Sequence, residues 1–136
     1  MNKDSNSIVK AFLDGEENLT DVVSTRIYCP RLIEGAVLPA ISFFIRGGSN
    51  NPHIPGLVEP SIQFDCWASS PEGARAAYNA LYDVLQGVQR EVVTIDSTDY
   101  IIWSAIEEVQ GQDLVDVEIP KYFRVLTFFK FIIKAI

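Results

Sequence analysis

Between Ser61 and Leu85 the hydrophobic period changes from two to 3.6, and this switch constrains the fold more than any other feature of the chain. Ile62, Phe64, Cys66 and Ala68 alternate with Ser61, Gln63, Asp65 and Trp67, the pattern of a strand with one buried face. Ser69 and Ser70 interrupt it. Ser70 is the expected N-cap of a helix, Pro71 suits its first turn, and Glu72 complements the helix dipole. Ala74, Ala77, Tyr78, Leu81 and Leu85 then recur at helical spacing, to about Gln86, and Gly87 ends the helix. A strand that feeds directly into an amphipathic helix calls for a layered fold, with the apolar stripe of the helix on the sheet.

The remaining chain supplies more strands than helices. Ile8, Val9, Phe12 and Leu13 form one stripe of an N-terminal helix that Gly15 can close, and Asp4, Ser5 or Asn6 can cap it. A polar, acidic stretch follows from Glu16 to Asp21. Strands are expected near Arg26–Cys29, over Ala40–Arg46, and over Val92–Ile95, Tyr100–Ile106 and Tyr122–Ile133, with Asp96–Asp99 as a hairpin turn. Gly47 to Pro60, with three glycines and three prolines in fourteen positions, reads as a long loop. Strands do not alternate with helices, so a doubly wound parallel sheet is disfavoured. The expectation is an α+β fold: an antiparallel sheet of about five to six strands, with the N-terminal helix and one amphipathic helix, about 71–86, packed on it. A chain of 136 residues makes one domain, 1–136.

The last strand departs from a sheet with one wet face. Phe123, Val125, Phe129, Phe131 and Ile133 point one way; Leu126, Phe128 and Ile132 point the other. Such a strand is either central and covered on both faces, or buried on one face by another subunit. Charge is also unevenly spread. The net charge is −7, yet Glu91 to Glu118 holds eight acids and no lysine or arginine, while the tail carries Lys121, Arg124, Lys130 and Lys134 without an acid. Opposite charges either pair within one sheet or join copies head to tail, an arrangement that closes into a ring when the rotation fits.

Catalytic chemistry finds little support. His53 is the one histidine, and it sits in the Pro/Gly stretch beside no nucleophile motif, so a solvated loop histidine is expected. Cys29 and Cys66 are too few for a disulfide scaffold, and with one histidine they do not make a zinc site. No phosphate-cradling glycine loop occurs, because Gly47-Gly48 lacks the following lysine and helix. Glu107, Glu108, Asp113, Asp116 and Glu118 match no cation-loop spacing and read as a solvated acidic loop. No cofactor or metal is expected. The acidic balance disfavours a duplex-binding role, and no stretch is apolar enough for a membrane helix.

Five segments, taken in order, resemble the tail-completion (tail-terminator) proteins of long-tailed, siphophage-type bacteriophages. They are SIVKAFLDG at the N-terminus, TRIYC at 25–29, LPAISFF at 38–44, SIQFDCWASSPEGARAAYNALYDVL at 61–85, and the closing YFRVLTFFKF. The resemblance implies an α+β virion structural protein with no catalysis. It implies a ring, hexameric in the family, at the head-proximal end of the tail tube in the neck of the particle. Its partners would be copies of itself, the tail-tube protein and a head-completion or connector protein. Double-stranded DNA would pass through its channel without specific binding, and no membrane would be involved. The protein would assemble in the host cytoplasm and reside in the virion. A channel should repel phosphates, which makes Asp96, Asp99, Glu107, Glu108, Asp113 and Asp116 candidate lining acids. Asn50, Asn51, His53 and Ile54 are candidate contacts to a neighbouring ring. Arg124, Leu126, Phe128, Lys130 and Ile132 are candidates for the subunit interface. The alternatives are another neck, head-completion or tail-tube ring protein, or a small acidic α+β enzyme or ligand-binding domain, which would need a polar pocket with convergent catalytic groups.

Overall fold

A computed structural model describes residues 4–33, 35, 37–50, 53, 54, 56–115 and 122–135. The elements run α1 (Ser5–Asp14), α2 (Glu17–Val23), β1 (Ile27–Tyr28), β2 (Ala40–Asn50), β3 (Leu57–Ala68), α3 (Pro71–Leu85), β4 (Gln89–Ile95), β5 (Thr98–Val115) and β6 (Phe123–Ala135). The strands form one six-stranded sheet in the order β1-β2-β3-β6-β5-β4. All neighbours are antiparallel except β1 and β2, which pair in parallel through Ile27–Ile41 and Tyr28–Ser42. The fold is α+β, as expected, with a sheet that is mixed at one edge.

The period switch is realised as read. On β3, Ile62, Phe64, Cys66 and Ala68 are buried against the helices. Ser70 Oγ accepts a hydrogen bond from the Gly73 amide at 3.1 Å, and Pro71 takes the first helical turn. The buried positions of α3 are Ala74, Ala77, Tyr78, Leu81 and Leu85. They meet one continuous core with Ile8, Val9, Phe12 and Leu13 of α1 and the inward residues of β2, β3, β5 and β6. Phe64 lies at its centre, its ring 5.5 Å from Phe43, 5.8 Å from Phe129 and 6.2 Å from Phe131. Offset and edge-on rings at such spacing add to the apolar burial itself.

Three local expectations give way. The acidic stretch after Gly15 contains α2, held by two side chains, Leu19 and Val23, which are fully buried. Two apolar anchors four residues apart are too few to read as a helix from sequence. The expected loop at 47–60 is largely a hairpin: β2 continues to Asn50 and β3 begins at Leu57. Gly48 lies opposite Pro60 with φ 140°, and a Cβ there would run into the Glu59 carbonyl oxygen, so glycine permits the close approach. Pro60 removes an amide where the β3–β6 ladder, paired at Val58–Ile133 and Ser61–Lys130, has no partner for it. The described part of the expected acidic loop is also strand: Glu107, Glu108 and Asp113 lie on β5, which runs to Val115 with register shifts between Glu107 and Val109 and between Val109 and Gln112, while Asp116 and Glu118 lie outside the described residues. The β4–β5 turn falls within the expected Asp96–Asp99 stretch but is tighter, with Thr98 and Asp99 already in β5. Asp96 and Ser97 both have positive φ, 50° and 66°, as tight antiparallel hairpins require.

Candidate assembly surfaces

The helices cover one face of the sheet and leave the other open. β6 lies between β3 and β5 and is therefore central, but it is covered on one side only. Phe129, Phe131 and Ile133 are buried under the helices, whereas Arg124, Leu126, Phe128, Lys130 and Ile132 alternate onto the open face. Strand alternation thus gathers all five candidate interface residues on one surface. Neighbouring strands add Phe44 and Arg46 from β2, Gln63, Asp65 and Trp67 from β3, and Ile106 from β5, which is 57% exposed.

Aromatic rings on this face carry arginines. The Arg46 guanidinium lies 4.0 Å from the Phe128 ring centre and donates from Nε to Ser61 Oγ at 3.1 Å. Arg124 lies 5.2 Å from the Trp67 ring centre and reaches Asp65 at 3.2 Å; Tyr122 meets Trp67 edge-on. Trp67 Nε1 donates to Ser42 Oγ at 2.9 Å. At the far edge Arg90 lies 5.2 Å from the Trp103 ring. Guanidiniums stacked on rings keep apolar surface partly dry while leaving it available to a partner. Asp65 is buried at this face, and burial raises its carboxyl above the ordinary range; the Arg124 charge and hydrogen bonds from Gln63 and Arg124 pull it back. The sequence reading missed Arg46 and Trp67 as part of this surface, because their partners lie on strands far away in the chain.

The candidate acids do not form one surface. Asp96 and Asp99 are exposed at the β4–β5 hairpin, where Asp99 accepts from Thr94 Oγ1 at 2.6 Å. Glu107 turns to the helix-covered side. There it accepts from Tyr78 OH at 2.6 Å, its Oε2 lies 2.7 Å from Thr127 Oγ1, and its amide donates to Gln86. Burial, and then the Glu107 hydrogen bond, pushes the Tyr78 hydroxyl up to about 12. Asp113 pairs with Arg75 of α3 at 2.9 Å, and Arg75 also donates to the Gly111 carbonyl. A Cβ at Gly111 would lie 2.8 Å from the Tyr78 ring and from Val125, so glycine lets bulged β5 close over the helix. Glu108 projects to the open face and accepts from Ser61 Oγ at 2.5 Å. Asp116 lies outside the described residues.

Of the candidate contact loop, Asn50 ends β2 opposite Val58, His53 and Ile54 are exposed in the connection to β3, and Asn51 lies outside the described residues. Concavities among the described residues include one of about 370 Å³ lined by Asp4, Asn6, Ser7, Lys10, Cys29 and Pro30, and one of about 350 Å³ beside Gly47, Gly48 and Pro60. No group of three or more His, Cys, Asp or Glu side chains placed to hold a metal occurs among the described residues. No helix among them is long and apolar enough to cross a membrane.

The architecture has a solved counterpart. The fold is similar to that of a chain in a solved structure described as the virion of a native gene transfer agent (GTA) particle. The TM-score is 0.66 at 15% identity, covering 96% of this chain and 94% of that one. No family model matches the sequence, and no curated protein matches it significantly.

Proposed function

We propose that this chain is a virion structural protein of a phage-type particle, and within that class a tail-completion (tail-terminator) subunit. In this reading it forms a ring, hexameric as the sequence resemblance implies, at the head-proximal end of the tail tube. The ring joins the tube protein to a head-completion or connector protein, and its role is assembly rather than catalysis. The observation that carries this reading is the full-length fold shared with a chain of a gene transfer agent virion. The open sheet face agrees with it, because a self-sufficient monomer has little use for arginine-stacked aromatics spread across one wall.

Within the ring, Arg124, Leu126, Phe128, Lys130 and Ile132 contact a neighbouring subunit. The candidate contacts Asn50, Asn51, His53 and Ile54 reach the adjoining ring. The candidate acids Asp96, Asp99, Glu107, Glu108, Asp113 and Asp116 face passing DNA, where negative charge prevents phosphate adhesion; Asp96 and Asp99 are exposed on their hairpin. Glu107 and Asp113 are also held by Tyr78 and Arg75 of α3.

The test is electron microscopy and mass photometry of the purified protein, alone and with tail tubes lacking their head-proximal cap. Rings on tube ends are expected. Phe128→Asp should give folded monomers, and deleting residues 50–55 should leave rings that cap tubes without joining heads. A protein that stays monomeric and ignores both tubes and connectors would overturn the proposal.

A further inference from the structure

The open face carries more basic than acidic side chains in a protein whose net charge is −7. Arg46, Arg124, Lys130 and Lys134 lie on it against Glu59, Asp65 and Glu108, and those acids are already engaged. Glu59 is near Lys130, Asp65 is beside Arg124, and Glu108 is bonded to Ser61. Around these charges lie Leu126, Phe128, Ile132 and Ile106. Aliphatic and aromatic surface of this kind is stabilised by a partner that excludes water, and carboxylates set among the cations would repel a phosphate backbone. A protein surface rich in unpaired acids fits better.

The chain carries such a surface on its opposite side. Glu16 and Glu17 open α2, Asp21 is exposed one turn on, and Glu91 lies on β4, which packs against α1. Among the described residues none of these four carboxylates has an ion pair. Burial, and then the charge of Glu91, holds the Glu16 carboxyl above its ordinary value, as expected where acids crowd without a cation. Of the acidic Glu91–Glu118 segment, Glu91 belongs to this corner, whereas Glu107 and Asp113 are engaged by α3 within the same subunit.

We infer that the open sheet face of one copy seats on the acidic α2–β4 corner of a second copy, with Lys130 and Lys134 opposite Glu17 and Asp21. The inference rests on the ring reading and names its subunit contact. The two surfaces differ, so the contact is heterologous and propagates head to tail until it closes.

Charge reversal tests it. Lys130→Glu with Lys134→Glu, and separately Glu17→Lys with Asp21→Lys, should each raise the concentration needed for assembly at least about tenfold, since like charges then face each other. The quadruple variant, and an equimolar mixture of the two double variants, should assemble nearly as the wild type does. Circular dichroism melts establish that each protein is folded. Assembly unchanged in both double variants, or a folded quadruple variant that stays apart, overturns the inference while leaving the ring intact. Duplex DNA that binds the wild type and is released by the Lys130/Lys134 reversal also overturns it. A wild type that never assembles, even on tail tubes, removes the ring reading and the inference together.

Discussion

The two faces of β6 are built from similar residues and do different work. On the helix side Phe129 and Phe131 are buried around Phe64. On the open side Phe128 lies under a guanidinium and stays partly exposed. One face is closed by the chain itself, and the other is shielded by long cationic side chains that a partner can lie against. Apolar content in a strand therefore does not distinguish core from interface; what covers each face does.

The sharpest way to break this contrast is to remove a ring from each side. Phe64→Ala should cost about 3–5 kcal/mol in urea unfolding, and Phe128→Ala less than about 1.5 kcal/mol. Equal losses would mean that the open face belongs to the core. Next in size, Gly111→Ala forces a methyl against the Tyr78 ring and Val125 and should cost about 2 kcal/mol, because both neighbours are packed. A neutral result would show that β5 does not close tightly over α3.

Arg124→Ala probes the polar part of the open face and should cost about 1.5 kcal/mol at neutral pH by leaving the Asp65 carboxylate without its cation. The Asp65 carboxyl is raised in the folded protein, so its contribution to stability is fully present below the unfolded value and falls as pH rises through the folded value. The deficit of the variant should therefore shrink in mild acid, and urea midpoints at two pH values check it. The smallest effect is expected at Tyr78→Phe, about 1 kcal/mol, for loss of the Glu107 bond. Ultraviolet titration should lose one late tyrosine, since Tyr78 keeps its proton to about 12. Its stabilising contribution is intact below the ordinary tyrosine value and is lost as pH rises through that higher one.

Local pattern determined much of this protein. The alternation of β3, the Ser70 cap, the stripe of α3, the β4–β5 turn and the two-sided apolarity of β6 all follow from neighbours in the chain. So does the grouping of Arg124 to Ile132, because alternation alone places them on one side. Tertiary structure decided the rest. Arg46 finds Phe128, Arg75 finds Asp113, and Glu107 finds Tyr78 and Thr127 across separations no periodic reading spans. Periodicity reports which way a side chain points relative to its own backbone. Which surface it then meets depends on strand order, register and bulges, and those are settled only when the whole sheet closes against its helices.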